Sequence, residues 1–236
     1  MIPGRKFADD GTEQEVLIEA GKAALQGTLG MPKDASGVVL FAHGSGSSRR
    51  SPRNRYVAEV LRGAGVGTLL FDLLTAEEES ADEATGELRF DIVFLAERLA
   101  DATRWLMRQP DMAEMKLGYF GASTGAAAAL VAAAKLRDKI AAIVSRGGRP
   151  DLAGEALQFV RAPTLLIVGE NDEPVIGMNR RALVELGSEV KRIQIVPRAT
   201  HLFEEPGTLE EVARLAAEWF KRYLAGARTG KAAAQR

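Results

Sequence analysis

Short apolar runs alternate with helical patterns along almost the whole chain, and no other feature restricts the fold so much. The runs read as strands lie at 15–19, 23–29, 37–42, 67–71, 115–120, 140–145, 163–169 and 189–197. Helical spacing falls between them, at about 52–63, 88–108, 123–136, 175–186 and 207–224. Strand, helix and strand in succession make a βα unit, and a string of such units builds a mainly parallel sheet covered on both faces. Five of the later runs are nearly continuous in Val, Ile, Leu and Phe, as strands buried on both faces must be. The first two runs are joined by Ala20-Gly21-Lys22 and predict an antiparallel hairpin at one edge. In 88–108, Leu88, Ile92, Leu95, Leu99, Ala102 and Leu106 recur at helical spacing, and Pro110 stands where the helix must stop.

The expectation is one α/β domain over 1–225, a three-layer α/β/α sandwich of about eight mostly parallel strands. Residues 226–236 read as a flexible tail. Residues 73–87, LLTAEEESADEATGE, interrupt the alternation. Their acidity and small side chains predict a solvated surface loop, or in a sharper form a flap over a pocket.

Composition removes several functions. With 31 Lys and Arg against 32 Asp and Glu there is no basic field to attract nucleic acid. No apolar stretch approaches the ~18 residues of a membrane span. The N-terminal MIPGRKFADDGTEQE lacks the apolar centre of a secretory leader, so a cytoplasmic protein is expected. The absence of cysteine excludes disulfides, thiolate metal sites and a cysteine nucleophile. The two histidines, His43 and His201, do not form a helical pair, so no zinc site and no cofactor are expected.

One segment carries a nucleophile signature. Gly121-Ala122-Ser123-Thr124-Gly125 matches G-x-S-x-G between a strand and a helix. A serine on that tight turn has its hydroxyl exposed, and the following helix aims its N-terminal amides where negative charge develops. A serine hydroxyl needs a base, and imidazole is the usual one. His201 lies in PRATHLFEEPG after the last strand, and Asp172 lies in GENDEPV after the strand before it. The order Ser, Asp, His is the one this elbow architecture uses, and each residue follows a different strand at the sheet edge where α/β sites assemble. Capping roles for Ser123 and Asp172 are the plain alternatives. His43-Gly44-Ser45-Gly46 ends an earlier strand at the same edge; its backbone near Ser45 can pair with the Thr124 N–H as an oxyanion hole, leaving His43 structural.

HGSGSS, GASTG, GENDEPV and ATHLFEEPG, in that order, resemble the α/β-hydrolase superfamily, in its dienelactone-hydrolase-like branch. The resemblance spans roughly 13–224. It implies Ser123 as nucleophile, Asp172 as acid, His201 as base, and Ser45 and Thr124 as oxyanion donors. Dienelactone hydrolases themselves carry cysteine in the elbow. Serine here shifts the expectation toward small soluble carboxylic esters or lactones. Acyl transfer, peptide hydrolysis and ligand binding without catalysis would fit the same residues. Only residues 146–162 separate two strands where lipases insert a large lid, so an open site is expected. Arg49, Arg50 and Arg146 are candidate contacts for an anionic substrate group, with Arg53 in the same basic cluster. The oligomeric state is not legible in the sequence.

Overall fold

The computed structural model describes residues 13–110 and 112–225. Its strands are β1 (Glu13–Ala20), β2 (Ala23–Gly30), β3 (Val38–Ala42), β4 (Gly67–Phe71), β5 (Leu117–Ala122), β6 (Ile140–Arg146), β7 (Thr164–Gly169) and β8 (Lys191–Val196). They form one sheet in the order β1-β2-β4-β3-β5-β6-β7-β8. The expected hairpin joins β1 to β2, with Gly21 at φ 62° in its turn. β2 is also antiparallel to β4, and from β4 to β8 every pairing is parallel.

The helices are α1 (Pro52–Gly63), α2 (Ala76–Thr85), α3 (Glu87–Phe90), α4 (Ile92–Met107), α5 (Thr124–Leu136), α6 (Glu173–Glu185) and α7 (Thr208–Leu224), with 3₁₀ turns at Arg137–Lys139 and Pro150–Phe159. Successive residues of a buried strand serve opposite layers. Leu40 and Tyr119 join Leu95, Leu99 and the alanines of α5. Phe41 and Phe120, with ring centroids 4.9 Å apart, join Val57, Leu61, Val212 and Phe220. Helices thus cover both faces, and the three-layer α/β/α sandwich expected of the sequence is the observed architecture.

The acidic stretch departs from expectation: 73–87 is not a loop but contains α2. Thr75 Oγ1 accepts the Glu78 N–H, and the Glu78 carboxylate accepts the Thr75 N–H, a reciprocal cap that starts the helix. Glu77, Glu78 and Glu79 sit in the first turn, where the helix dipole favours negative charge. Gly86, at φ 68°, ends it. Asp82 is buried; its carboxylate accepts the N–H groups of Leu88 and Arg89 and pairs with the Arg89 guanidinium. Acidity suggested solvent, but local capping and one buried acid decide the structure. The 88–108 helix is also shorter than expected: Leu88 belongs to α3, and Asp91 caps α4 by accepting the Phe94 N–H.

No helix among the described residues is long and apolar enough to cross a membrane. The expected tail at 226–236 and the residues ahead of Glu13 lie outside the described range.

Candidate active site

Ser123 stands between β5 and α5 with φ 51° and ψ −123°, a conformation that costs a side-chain-bearing residue about 1–3 kcal/mol. Two glycines permit it. A Cβ on Gly121 would lie 2.4 Å from Ala126 Cα, and one on Gly125 would lie 2.2 Å from the Ala42 carbonyl oxygen. Backbone bonds hold the turn: the Ser123 N–H donates to Arg146 O at 3.3 Å, and Ser123 O accepts from the N–H groups of Ala126 and Arg149. None of these uses the hydroxyl. Although Ser123 occupies the capping position of α5, its side chain makes no capping bond.

Asp172 behaves in the same way at the start of α6. It occupies the capping position ahead of Pro174 but caps nothing. Its Oδ2 instead lies 2.7 Å from His201 Nδ1. The carboxylate is mostly buried, whereas the imidazole is 39% exposed. The loop carrying His201 is pinned from several sides. Arg198 N donates to Glu170, Asn171 Nδ2 donates to Arg198 O, and Glu205 accepts from both the N–H and hydroxyl of Thr200. Glu170 and Glu205 therefore brace the loop and do not compete for the imidazole. Gly147 lies between the two halves of the site: a Cβ placed on it would sit 3.6 Å from His201 Cε1, and the preceding carbonyl holds Ser123.

His43 has the structural task the sequence suggested. Its Nε2 accepts the Leu73 N–H at 3.1 Å, so the ring proton resides on Nδ1, which donates to Gly44 O at 3.0 Å. Burial lowers the imidazole pKa and keeps the ring neutral, outweighing the raising effects of the Gly44 carbonyl and of Asp72 and Glu79. The loop it anchors lies over Ser123: a Cβ on Gly44 would sit 3.0 Å from Ser123 Cβ. Ser45 N then donates to Thr124 Oγ1 at 2.9 Å. A cavity of about 230 Å³ opens beside this loop, with Glu79 and Glu83 of α2 on its far wall and Leu73 and Leu95 supplying apolar surface.

The candidate cations separate. Arg49 is held by Asp72 and Glu15, through its guanidinium and, for Asp72, its N–H as well. Arg50 is exposed and lines an outer groove. Arg146 is buried at the end of β6, and neither Nε nor Nη1 has a hydrogen-bond partner. Burial first, and the like charge of Arg53 second, lower its pKa to about 10. Arg53 pairs with Glu204 at 3.0 Å while its own Nε is unpartnered. Sequence reasoning missed the Thr124 hydroxyl bond to Ser45 and the role of Asp72, because neither follows a motif. It also missed α2 as a cavity wall, although Thr75-x-x-Glu78 was a readable signal. Among the described residues, no cluster of His, Asp and Glu is placed to hold a metal ion.

Known proteins share this arrangement of elements. The model of the dienelactone hydrolase family matches residues 25–225. A putative phosphoribosyl transferase of Mycobacterium tuberculosis strain H37Rv is 58% identical over 214 residues, which are 91% of this chain and 47% of that protein. The chain thus spans about half the length of the curated relatives it matches. A dienelactone hydrolase from Anabaena variabilis, known from a crystal structure, is 61% identical, with a TM-score of 0.88 over 90% of this chain and 98% of that one. Est1E from Butyrivibrio proteoclasticus, at 16% identity and a TM-score of 0.75, covers 90% of this chain and 99% of its own, a likeness of fold. The sheet order, the strand-to-helix elbow and these matches are those of an α/β-hydrolase fold, and the chain belongs to the dienelactone hydrolase family.

Proposed function

We propose that the chain is a serine hydrolase that cleaves small soluble carboxylic esters or lactones through an acyl-enzyme on Ser123. The observation carrying this reading is the 2.7 Å contact between Asp172 and His201 Nδ1, made by an acid that forgoes helix capping to make it. With Nδ1 donating to the carboxylate, His201 Nε2 is unprotonated and available as base. Ser123 Oγ attacks the carbonyl carbon as its proton passes to Nε2, and the imidazolium is stabilised by Asp172. The tetrahedral oxyanion forms at the N-terminus of α5, between the Thr124 N–H and the Ser45 side of the glycine loop. The imidazolium then protonates the leaving alkoxide. Water, deprotonated by His201, cleaves the acyl-enzyme and returns Ser123.

The cavity beside the glycine loop is lined by His43, Gly44 and Ser45 and not by Ser123, Asp172 or His201, and at below the roughly 300–1,000 Å³ of drug-sized pockets it suits only a small substrate group reaching past the loop. The Pro150–Phe159 segment packs on α5 and α6, which agrees with an open site. Arg146 is the buried one of the nominated cations and has no acid partner among the described residues, and it is our candidate for an anionic group on the substrate.

Labelling with a fluorophosphonate tests the mechanism. The parent should label stoichiometrically at neutral pH, Ser123→Ala should not label, and His201→Ala should label slowly. A parent that does not label, or a Ser123→Ala protein that does, refutes the proposal.

A further inference from the structure

Thr124 enters the mechanism above only through its backbone, yet its side chain occupies an unusual position. Its Oγ1 accepts the Ser45 N–H, the donor that the glycine loop would otherwise present to the substrate. A hydroxyl has one proton and two lone pairs, so this bond leaves the proton unassigned. Inside a helix a threonine normally donates that proton to the carbonyl four residues earlier. Thr103 in α4 does so, giving its proton to Leu99 O at 2.8 Å. Thr124 cannot, because it is the first residue of α5 and no helical turn precedes it. Among the described residues no other group accepts its proton. The residue is nonetheless 4% exposed, so water is not a ready substitute. A buried hydroxyl with an unused donor, bonded to the oxyanion loop and directly following the nucleophile, needs an acceptor that arrives during the reaction.

We propose that the Thr124 hydroxyl is itself an oxyanion donor, polarised by the Ser45 N–H behind it. This rests on the acyl-enzyme reading of Ser123 and deepens it. The Ser45 N–H donates to Thr124 Oγ1, and the Thr124 O–H donates to the negative oxygen of the tetrahedral intermediate, beside the Thr124 N–H. No proton leaves threonine; the hydrogen bond strengthens as charge builds on the carbonyl oxygen. Hydrogen bonds in such a chain polarise one another, so the second bond gains from the first. Ser45 thus becomes a positioning residue, acting on the oxyanion through Thr124.

Thr124→Val removes the hydroxyl at nearly constant shape, and Thr124→Ser retains it. Steady-state hydrolysis of p-nitrophenyl acetate should show kcat lowered about 10²-fold in the valine variant, with KM within about twofold, the range expected for one oxyanion donor. The serine variant should keep kcat within about threefold of the parent. A trifluoromethyl ketone, which forms a tetrahedral adduct on the nucleophile, should lose affinity in parallel with kcat. Thr124→Val activity equal to or above the parent would overturn the proposal, because the hydroxyl would then only be withholding the Ser45 N–H. An equal loss in both variants would overturn it as well, by assigning the effect to packing. If valine does not fold at this position, Thr124→Ala replaces it and the comparison with serine decides. Fluorophosphonate labelling of the parent keeps the outcomes separate: labelling with an unaffected Thr124→Val refutes this proposal alone, and no labelling refutes the acyl-enzyme reading.

Discussion

Replacing Arg146 by methionine should make the protein more stable. Arg146 is 8% exposed, two of its three guanidinium nitrogens lack partners, and no acid among the described residues pairs with its charge. Burial, with Arg53 adding repulsion, lowers its pKa by more than two units, to about 10. At about 1.4 kcal/mol for each tenfold change in proton affinity, holding the charge there costs about 3 kcal/mol. Methionine has a similar length and enough flexibility to fill the space, and replacing buried ionic groups by apolar ones commonly gains about 1–4 kcal/mol. In a chain of this length each kcal/mol moves Tm by about 2–4 °C, so recovering about 3 kcal/mol should make Arg146→Met melt about 6–12 °C higher. The gain should be constant between pH 6 and 9, on the order of neutral conditions, because the arginine is protonated in both folded and unfolded states there. It should shrink only as the pH rises through about 10, where the folded-state arginine of the parent loses its proton. Differential scanning calorimetry across that range is the assay. A variant that melts several degrees lower would refute the reasoning, since it would show that an anion or bound water satisfies Arg146 in solution. If Arg146 also meets an anionic substrate group, the more stable variant loses kcat/KM on a carboxylated ester and keeps it on the neutral analogue.

His43 and Thr75 offer two further tests. Burial lowers the His43 pKa, so the unfolded chain takes up the extra proton first and stability declines as the pH falls below about 6.5. At pH 5.5 that contribution reaches at most about 1.4 kcal/mol; His43→Gln, which can still donate to Gly44 O and accept from Leu73 N–H, should lose less Tm than the parent between pH 7.5 and 5.5. An identical drop in both proteins would exclude His43 as its source. Thr75→Ala removes the cap of α2 and should cost about 1 kcal/mol. Amide exchange measured by mass spectrometry should accelerate about fivefold across Ala76–Thr85, and unchanged exchange would show that α2 does not depend on its cap.

The readable and unreadable parts of the fold differ in physical kind. β3, β4, β5 and β7 are buried at every residue, and burial on both faces forces a nearly continuous apolar run that one sequence displays without help. The elbow was readable for a related reason: Gly121 and Gly125 each face backbone too closely for any Cβ. The acidic segment was misread because composition reports average solvation, whereas α2 forms through one cap and the burial of Asp82 against Arg89. Arg49 was nominated for substrate because its cluster is basic, but Asp72 and Glu15, distant in sequence, hold it. Charge is local in a sequence; its neutralisation is not.

Backbone strain alone does not single out Ser123. Arg137, at φ 48° and ψ −119°, has almost the dihedrals of Ser123 and ends the same helix that Ser123 begins. Its side chain is exposed beside Asp138 and Lys139, at the end of α5 remote from the glycine loop. What separates the two is their surroundings. At Ser123, a glycine loop lies against the side chain, the N-terminus of α5 follows directly, and the Arg146–Gly147 link leads to an imidazole bonded to an acid. Each of those groups follows a different strand, so parallel pairing of β3, β5, β6, β7 and β8 brings them to one edge. The strain at Ser123 therefore has a setting that the strain at Arg137 lacks: it falls at the sheet edge where the glycine loop and the Asp172–His201 pair assemble.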